Sequence, residues 1–269
     1  LSTLRTQNIH TVSITPSPVP SAGIGILATS AIPAGTTIAF VPRRSLLNLS
    51  TLPTFAPSLP RSQKASTHAL LTLAILSSPS PWISTFPSSF PTHPLLWPAT
   101  QQSLLPSSAI RLLSDQQTRL TTDLAAAREL TDIDDEASFT TAWLCVNTRT
   151  LHFPVGGMTL CPFIDYFNHS SSSPRACAVT LDARGYTVTT TCRIEKGEEV
   201  FVTYGSHSGD FCLVEYGFVP SEKEGDYLQL DAWMEFTDEQ EGRLKGMGYW
   251  GRYVLDREGF CYRAKTAGR

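Results

Sequence analysis

A chain of 269 residues, 41% hydrophobic and only 17% charged, has enough apolar material for one large domain or two smaller ones. Its formal net charge of −3 lacks the basic excess of a nucleic-acid-binding surface, so no direct nucleic-acid contact is expected. No stretch approaches the ~18 apolar residues of a membrane span, and the first residues lack the order of a signal peptide, so no membrane partner is expected.

In chain order, residues 24–28 form a short apolar run, residues 32–36 carry a Pro-Ala-Gly turn, and residues 37–41 form a β-branched run closed by Pro42. Gly23-Ile-Gly25 serves either a hairpin that needs free backbone angles or a close approach of backbone to ligand. Residues 51–106 hold ten of the nineteen prolines, mixed with Ser, Thr and large apolar residues, and enclose the run 68–76. That run is apolar nearly all round, as in a short buried helix, and Trp82, Phe86, Phe90 and Trp97 follow as anchors of an irregular segment.

Residues 107–130 repeat Leu113, Leu120, Leu124 and Ala127 at helical spacing, with Ser107 or Ser108 as the expected cap. An acidic turn over 132–136 leads to a second helix with Phe139, Ala142, Trp143 and Val146 on one face. Arg149 ends that helix, where a cation serves as a C-terminal cap or meets a bound anion. Residues 176–181 and 186–191 read as a hairpin around Asp182-Ala-Arg-Gly185, followed by a turn over 194–198 and a strand over 199–204. Thr237-Asp-Glu-Gln240 is a capping box, with Gly246 and Gly248 as the helix stop.

Cys161-Pro-Phe-Ile-Asp-Tyr-Phe-Asn-His-Ser170 sets Asp165, Asn168 and His169 in an apolar run, where their hydrogen-bonding groups need partners. Asp165 and His169 lack a third ligand, so no metal is expected. Cys145, Cys161, Cys177, Cys192, Cys212 and Cys261 occur singly, which argues against zinc and against a disulfide framework; they read as reduced thiols of the cytoplasm or nucleus. Asn48 and Asn168 open N-x-S sequons, neither expected to carry a glycan.

Four blocks in one order resemble the SET-domain protein lysine methyltransferases, in particular the split-SET subgroup of Rubisco large-subunit and ribosomal-protein enzymes. They are Gly23-Ile-Gly25, Val146-Asn-Thr-Arg149, Asp165-Tyr-Phe-Asn-His-Ser170, and Gly197-Glu-Glu-Val-Phe-Val-Thr-Tyr-Gly205 with Glu215-Tyr-Gly-Phe218. The resemblance implies an α+β, mainly β SET fold of small curved sheets with a knot-like crossing and an inserted helical subdomain. Residues 1–50 and 137–220 would make the two SET parts, 51–136 the helical insert, and 221–269 the start of a larger, truncated helical region.

It also implies S-adenosylmethionine (SAM) as cofactor. Ala22, Gly23 and Ile24 would offer it backbone groups and Arg149 would meet its carboxylate. Asp165, Asn168 and His169 would line it, Tyr204 would be catalytic, and Tyr216 and Phe218 would border cofactor and lysine channel. Cys177 stands where the subgroup has a channel aromatic, Gly209 where it has Asn, and the zinc cysteines of histone-directed members are absent. The implied partner is a non-histone protein substrate of the translation machinery, acted on by a monomer. Two other readings are a protein-histidine methyltransferase and a non-catalytic peptide-binding module, the second motivated by Gly209 and Cys177.

Overall fold

Two separated stretches of sequence supply the strands of one sheet. The computed structural model describes residues 8–20, 22–59, 64–78, 80–171, 176–221 and 225–268. The first stretch supplies β1 (His10–Thr11), β2 (Ile14–Val19), β3 (Gly23–Ala28) and β4 (Thr37–Pro42). After the helices come the small hairpin β5 (Thr150–Phe153) and β6 (Gly157–Leu160), then β7 (Ala176–Asp182), β8 (Gly185–Thr189) and β9 (Glu199–Val202). The seven-stranded sheet runs β1-β4-β8-β7-β9-β3-β2. Its strands pair antiparallel except β7 with β9, which are parallel. Strands β3 and β4 thus find neighbours more than a hundred residues downstream, and both stretches fill one core that includes Ile26, Ile38, Phe163, Phe167, Val200 and Val202.

The intervening residues form α1 (Leu52–Phe55), α2 (Thr67–Ser77), α3 (Ala99–Gln102), α4 (Ser107–Leu130) and α5 (Glu136–Arg149). Residues 68–75 of α2 are all buried, as an apolar circumference requires. The cap expected from Ser107 or Ser108 is not made. Pro106 is the N-cap, extended at φ −55° and ψ 150°, and the Ser108 hydroxyl turns to Asp210 instead. The acidic turn ends in a true cap, with Asp135 accepting from the backbone of Ala137 and Ser138 at 3.0 Å each.

Beyond α6 (Gly209–Tyr216) the tail forms more than the start of a helical region. Strands β10 (Tyr227–Gln229), β11 (Val254–Asp256) and β12 (Gly259–Phe260) make an antiparallel sheet. It joins α7 (Asp238–Gly246) and α8 (Tyr262–Ala267) around Leu244 and Tyr253. Asp231 fixes this unit by accepting from the backbone of Arg252 and Tyr253 at 2.8 and 3.1 Å. The capping box at Thr237 and Gln240 is present.

Asn48, the asparagine of the first sequon, is fully buried. Its amide donates to Val155 O and Thr159 Oγ1, and its carbonyl accepts from Ser50, so it serves as a packing post with no room for a sugar. Among the described residues no helix is long and apolar enough to cross a membrane, and no group of three His, Cys, Asp or Glu is placed to hold a metal.

Candidate functional site

The run through Asp165 enters its single 3-10 turn (Ile164–Tyr166) by way of Phe163 at φ +74°. Positive φ is an outlier for a bulky residue and persists only where packing over-determines it; Phe163 is 1% exposed in the main core. The chain then straightens beside β9. Val202 N–H donates to Asn168 O, and Ser170 N–H to Val202 O, both at 3.0 Å. This parallel bridge fixes where the next residues go. Tyr204 N–H donates to His169 Nδ1 at 3.0 Å, which assigns the ring proton to Nε2, and Tyr204 Oη–H donates to Phe167 O at 2.7 Å. Burial pushes the Tyr204 hydroxyl well above the ordinary tyrosine range, so it stays a neutral phenol.

Three rings pack around the ring of Tyr204. Ring centroids lie 5.1 Å apart for Tyr204 and Tyr216, 5.2 Å for Tyr204 and His169, 6.4 Å for Tyr204 and Phe218, and 6.1 Å for Tyr216 and Phe218. His207 and Phe211 extend the group, stacked at 4.2 Å, with His207 Nε2 3.1 Å from Tyr204 O. Such aromatic walls attract a cation or sheath an amine. Gly205, at φ +129°, makes this packing possible, since a Cβ there would sit 2.6 Å from His207 Nε2.

The other half of the site lies where β3 and β9 part. Their ladder covers Ile26 and Leu27 alone, so residues 23–25 pair only with β2. Asn168 Nδ2 donates to Glu199 Oε1 at 2.6 Å, directly over Gly25. A Cβ on Gly25 would lie 2.5 Å from that oxygen and 2.8 Å from Nδ2, so close approach is what Gly25 provides. Gly23 serves differently: it has open space but φ +75°. Ala22, Gly23 and Ile24 are exposed at the tip of the β2–β3 hairpin.

On a third side, Arg149 Nη1 donates to Asp165 O at 2.9 Å, its guanidinium lies 5.4 Å from the Phe86 ring centroid, and its buried Nε has no protein partner. Asp165 Oδ2 accepts from Trp82 Nε1 at 3.0 Å and lies 3.9 Å from Arg149, while Oδ1 has no partner. Burial pushes Asp165 up to about 6, against the pull of Arg149 and the indole.

The structure therefore gathers His169, Tyr204, Tyr216 and Phe218 in one cluster, and Asn168 with the Gly23–Gly25 edge in another. Two expectations change. The Asp165 side chain is fully enclosed and holds Arg149 and Trp82, so it does not itself line an open cleft. Cys177 is 3% exposed and belongs to the main core opposite Val202, where burial pushes its thiol up to about 12; it does not join the rings. Its strand alternates sides, and the cysteine faces inward. Sequence reasoning did not single out Glu199, His207 or Phe211 as site residues, nor assign Trp82 and Phe86 to the site. Glu199 stands in the Gly-Glu-Glu block, whereas Trp82 lies 83 residues from its partner Asp165 and gave no local signal.

Comparison with known proteins adds four findings. Residues 23–205 match the SET domain family. The chain is 31% identical over 268 residues to the ribosomal lysine N-methyltransferase set11 of Schizosaccharomyces pombe (strain 972 / ATCC 24843), covering 91% of this chain and 66% of that protein. It is 24% identical over 306 residues to SET domain-containing protein 4 of Mus musculus, covering 98% of this chain and 70% of that protein. The SET domain of LSMT bound to lysine and AdoHcy has the same fold, with a TM-score of 0.68 at 15% identity, over 91% of this chain and 63% of that one. The chain thus spans about two thirds of the length of these proteins.

Proposed function

The chain belongs to the SET-domain family, and from that premise we propose that it is a SAM-dependent protein-lysine N-methyltransferase acting on a ribosomal protein. One observation carries the reading: the Tyr204 hydroxyl, its proton held by Phe167 O, sits inside a wall of His169, Tyr216 and Phe218.

The residues fit the cofactor. Arg149, with a buried Nε that lacks a partner, suits its carboxylate, and Glu199 brings a carboxylate suited to its amino group. The edge of residues 23–25, left unpaired by β9, and the Asn168 amide offer donors and acceptors, with Gly25 as a cradle that any side chain would fill. Bound there, SAM supplies an electrophilic methyl on a cationic sulfur.

The protein's own task is to present a neutral amine. Removing the proton from a lysine of pKa ~10.4 at pH 7 costs roughly 4–5 kcal/mol. An apolar ring-lined channel disfavours the ammonium and lowers that cost. Tyr204 is no base, since burial keeps its proton on. Its oxygen can accept an amine N–H. Its own hydrogen, committed to Phe167 O, cannot engage the nitrogen lone pair, which is left pointing at the methyl. Tyr216 and Phe218 give the methylated cation aromatic faces.

The likeness to ribosomal lysine methyltransferases supports a non-histone, ribosomal substrate. The net charge of −3 suits a basic protein and disfavours direct contact with nucleic acid. We read the enzyme as a monomer of the cytoplasm or nucleus that works without a membrane, which sedimentation and cell fractionation test. The activity is tested with labelled SAM and ribosomal proteins from cells lacking the enzyme. Label should enter one protein at lysine, and Tyr204→Phe should lower turnover roughly 10²-fold. An unlabelled ribosomal fraction, or label found on histidine, overturns the assignment.

A further inference from the structure

Two residues inside the sequence blocks have no part in the methyl-transfer chemistry: Asn147 of the block ending at Arg149, and Glu215, which precedes Tyr216. The structure joins them. The Glu215 side chain is 12% exposed, wedged between α4, α5 and α6. Arg119 Nη2 donates to both of its oxygens, at 2.7 and 3.0 Å. Asn147 Nδ2 donates to Oε2 at 3.0 Å and to Glu215 O at 2.8 Å. The fully buried Gln116 donates to Oε2 at 3.3 Å and to Val214 O at 3.0 Å.

These bonds fix α6 in both rotation and depth, because they grip its side chain and its last carbonyls together. The channel wall comes next along the chain: Tyr216, then Gly217 at φ +79°, then Phe218. At Gly217 a Cβ would meet Thr92 Oγ1 at 3.3 Å and His93 Cα at 3.5 Å, so the segment before α4 also packs against this turn. A leucine between these helices would serve stability as well, since exchanging a buried charge network for apolar packing is often neutral. A carboxylate that collects donors from two helices does something leucine cannot: it permits one orientation.

We infer that Glu215, held by Asn147, Gln116 and Arg119, is a positioning residue that sets the Tyr216–Phe218 wall against Tyr204, so that the helical segment governs acceptor geometry. This rests on the methyltransferase reading. A displacement of the wall misplaces the amine more than the cofactor, most of whose candidate contacts, residues 23–25, Arg149, Asn168 and Glu199, come from other elements; a misplacement of about 1 Å can cost up to ~10²-fold in rate.

The test compares Glu215→Leu, Asn147→Ala and Arg119→Ala with wild type, using ribosomal proteins from cells lacking the enzyme as acceptor and calorimetry for SAM. Asp123→Asn, in a separate network within the helical segment, controls for lost stability. Glu215→Leu should lower kcat about tenfold and shift the balance of mono-, di- and trimethyl-lysine, with SAM affinity within about twofold of wild type. Asn147→Ala should follow at about threefold and Arg119→Ala less, while Asp123→Asn changes thermal stability and not kcat. If Glu215→Leu does not fold, the other two decide by the same criterion. Unchanged kcat and product balance, or kcat and SAM affinity falling in step, overturns the proposal alone. A wild type that transfers no methyl overturns the methyltransferase reading and this proposal with it.

Discussion

Two buried aspartates each accept the indole N–H of a tryptophan, and they differ in what else they hold. Asp123, between α2, α4 and α5, has both oxygens occupied: Oδ2 by Trp143 Nε1 at 2.8 Å and Oδ1 by the Ser66 hydroxyl at 2.5 Å. His68 stacks on the same Trp143 at 4.0 Å and bonds its carbonyl, which closes the network. Asp165 has one oxygen on Trp82, none on Oδ1, and a guanidinium 3.9 Å away that has an unpartnered nitrogen of its own. A satisfied buried carboxylate locks helices together. One left open is unfavourable by itself and marks a place where the fold holds a cation in readiness.

The largest effect should come from the closed network. Asp123→Ala strands the Trp143 indole in the interior and takes the acceptor of the Ser66 hydroxyl at the start of α2, at a cost of about 3 kcal/mol. Thermal denaturation should show a Tm lower by roughly 5–10 °C. Turnover per folded molecule at about 20 °C should not change, and a loss of turnover would erase the distinction between the two aspartates.

Asp165 should show its difference through pH. Its folded pKa, about 6, lies above the ordinary 3.8, so the folded state binds more protons than the unfolded one between those values. Stability from this group is therefore greatest below pH ~4, falls as pH rises towards 6, and is flat above ~7. The fall is about 3 kcal/mol, roughly two units at ~1.36 kcal/mol each. Asp165→Asn lacks it. Urea titrations of both proteins from about pH 4 to 8 should give a difference that grows over that window in favour of the variant; a pH-independent difference would show that Asp165 is ionised in the fold throughout.

The two networks were not equally legible beforehand. The α4 range, the Asp182–Gly185 turn and the Thr237 capping box are local patterns, and each lies where spacing and turn chemistry put it. The Tyr204, Tyr216, Phe218 and His169 cluster could be anticipated because a family resemblance supplied the long-range pairing that periodicity does not contain. Trp82 and Asp165 carried no such link, since the indole comes from an irregular proline-rich stretch with no repeat to say which face is inside. The short strands of the tail escaped for a related reason: runs of two or three strand residues do not define a face.

The smallest effect, and the sharpest on the comparison, is expected from removing each indole N–H in turn. Trp143→Phe takes one donor from an aspartate that keeps Ser66, so stability should fall by about 1.5 kcal/mol at every pH from about 5 to 8. Trp82→Phe takes the one side-chain hydrogen bond that Asp165 Oδ2 accepts and leaves Arg149 and the backbone N–H groups of Phe163 and Asp165 as its remaining stabilisers. The ionised form loses support while the protonated form loses little, so the folded pKa should rise further above 6. Stability should then match wild type, apart from a constant packing cost, near pH ~4. It should go on falling past the pH at which wild type levels off, ending about 1.5 kcal/mol lower at pH ~8. Phe86, whose ring meets Trp82 edge-on at 5.2 Å, holds the phenyl replacement in place, so lost packing should stay small. Equal and pH-independent losses in the two variants would mean that both aspartates are closed. A pH-dependent loss for Trp82→Phe alone would make the open carboxylate beside Arg149 the feature that separates the site from the scaffold.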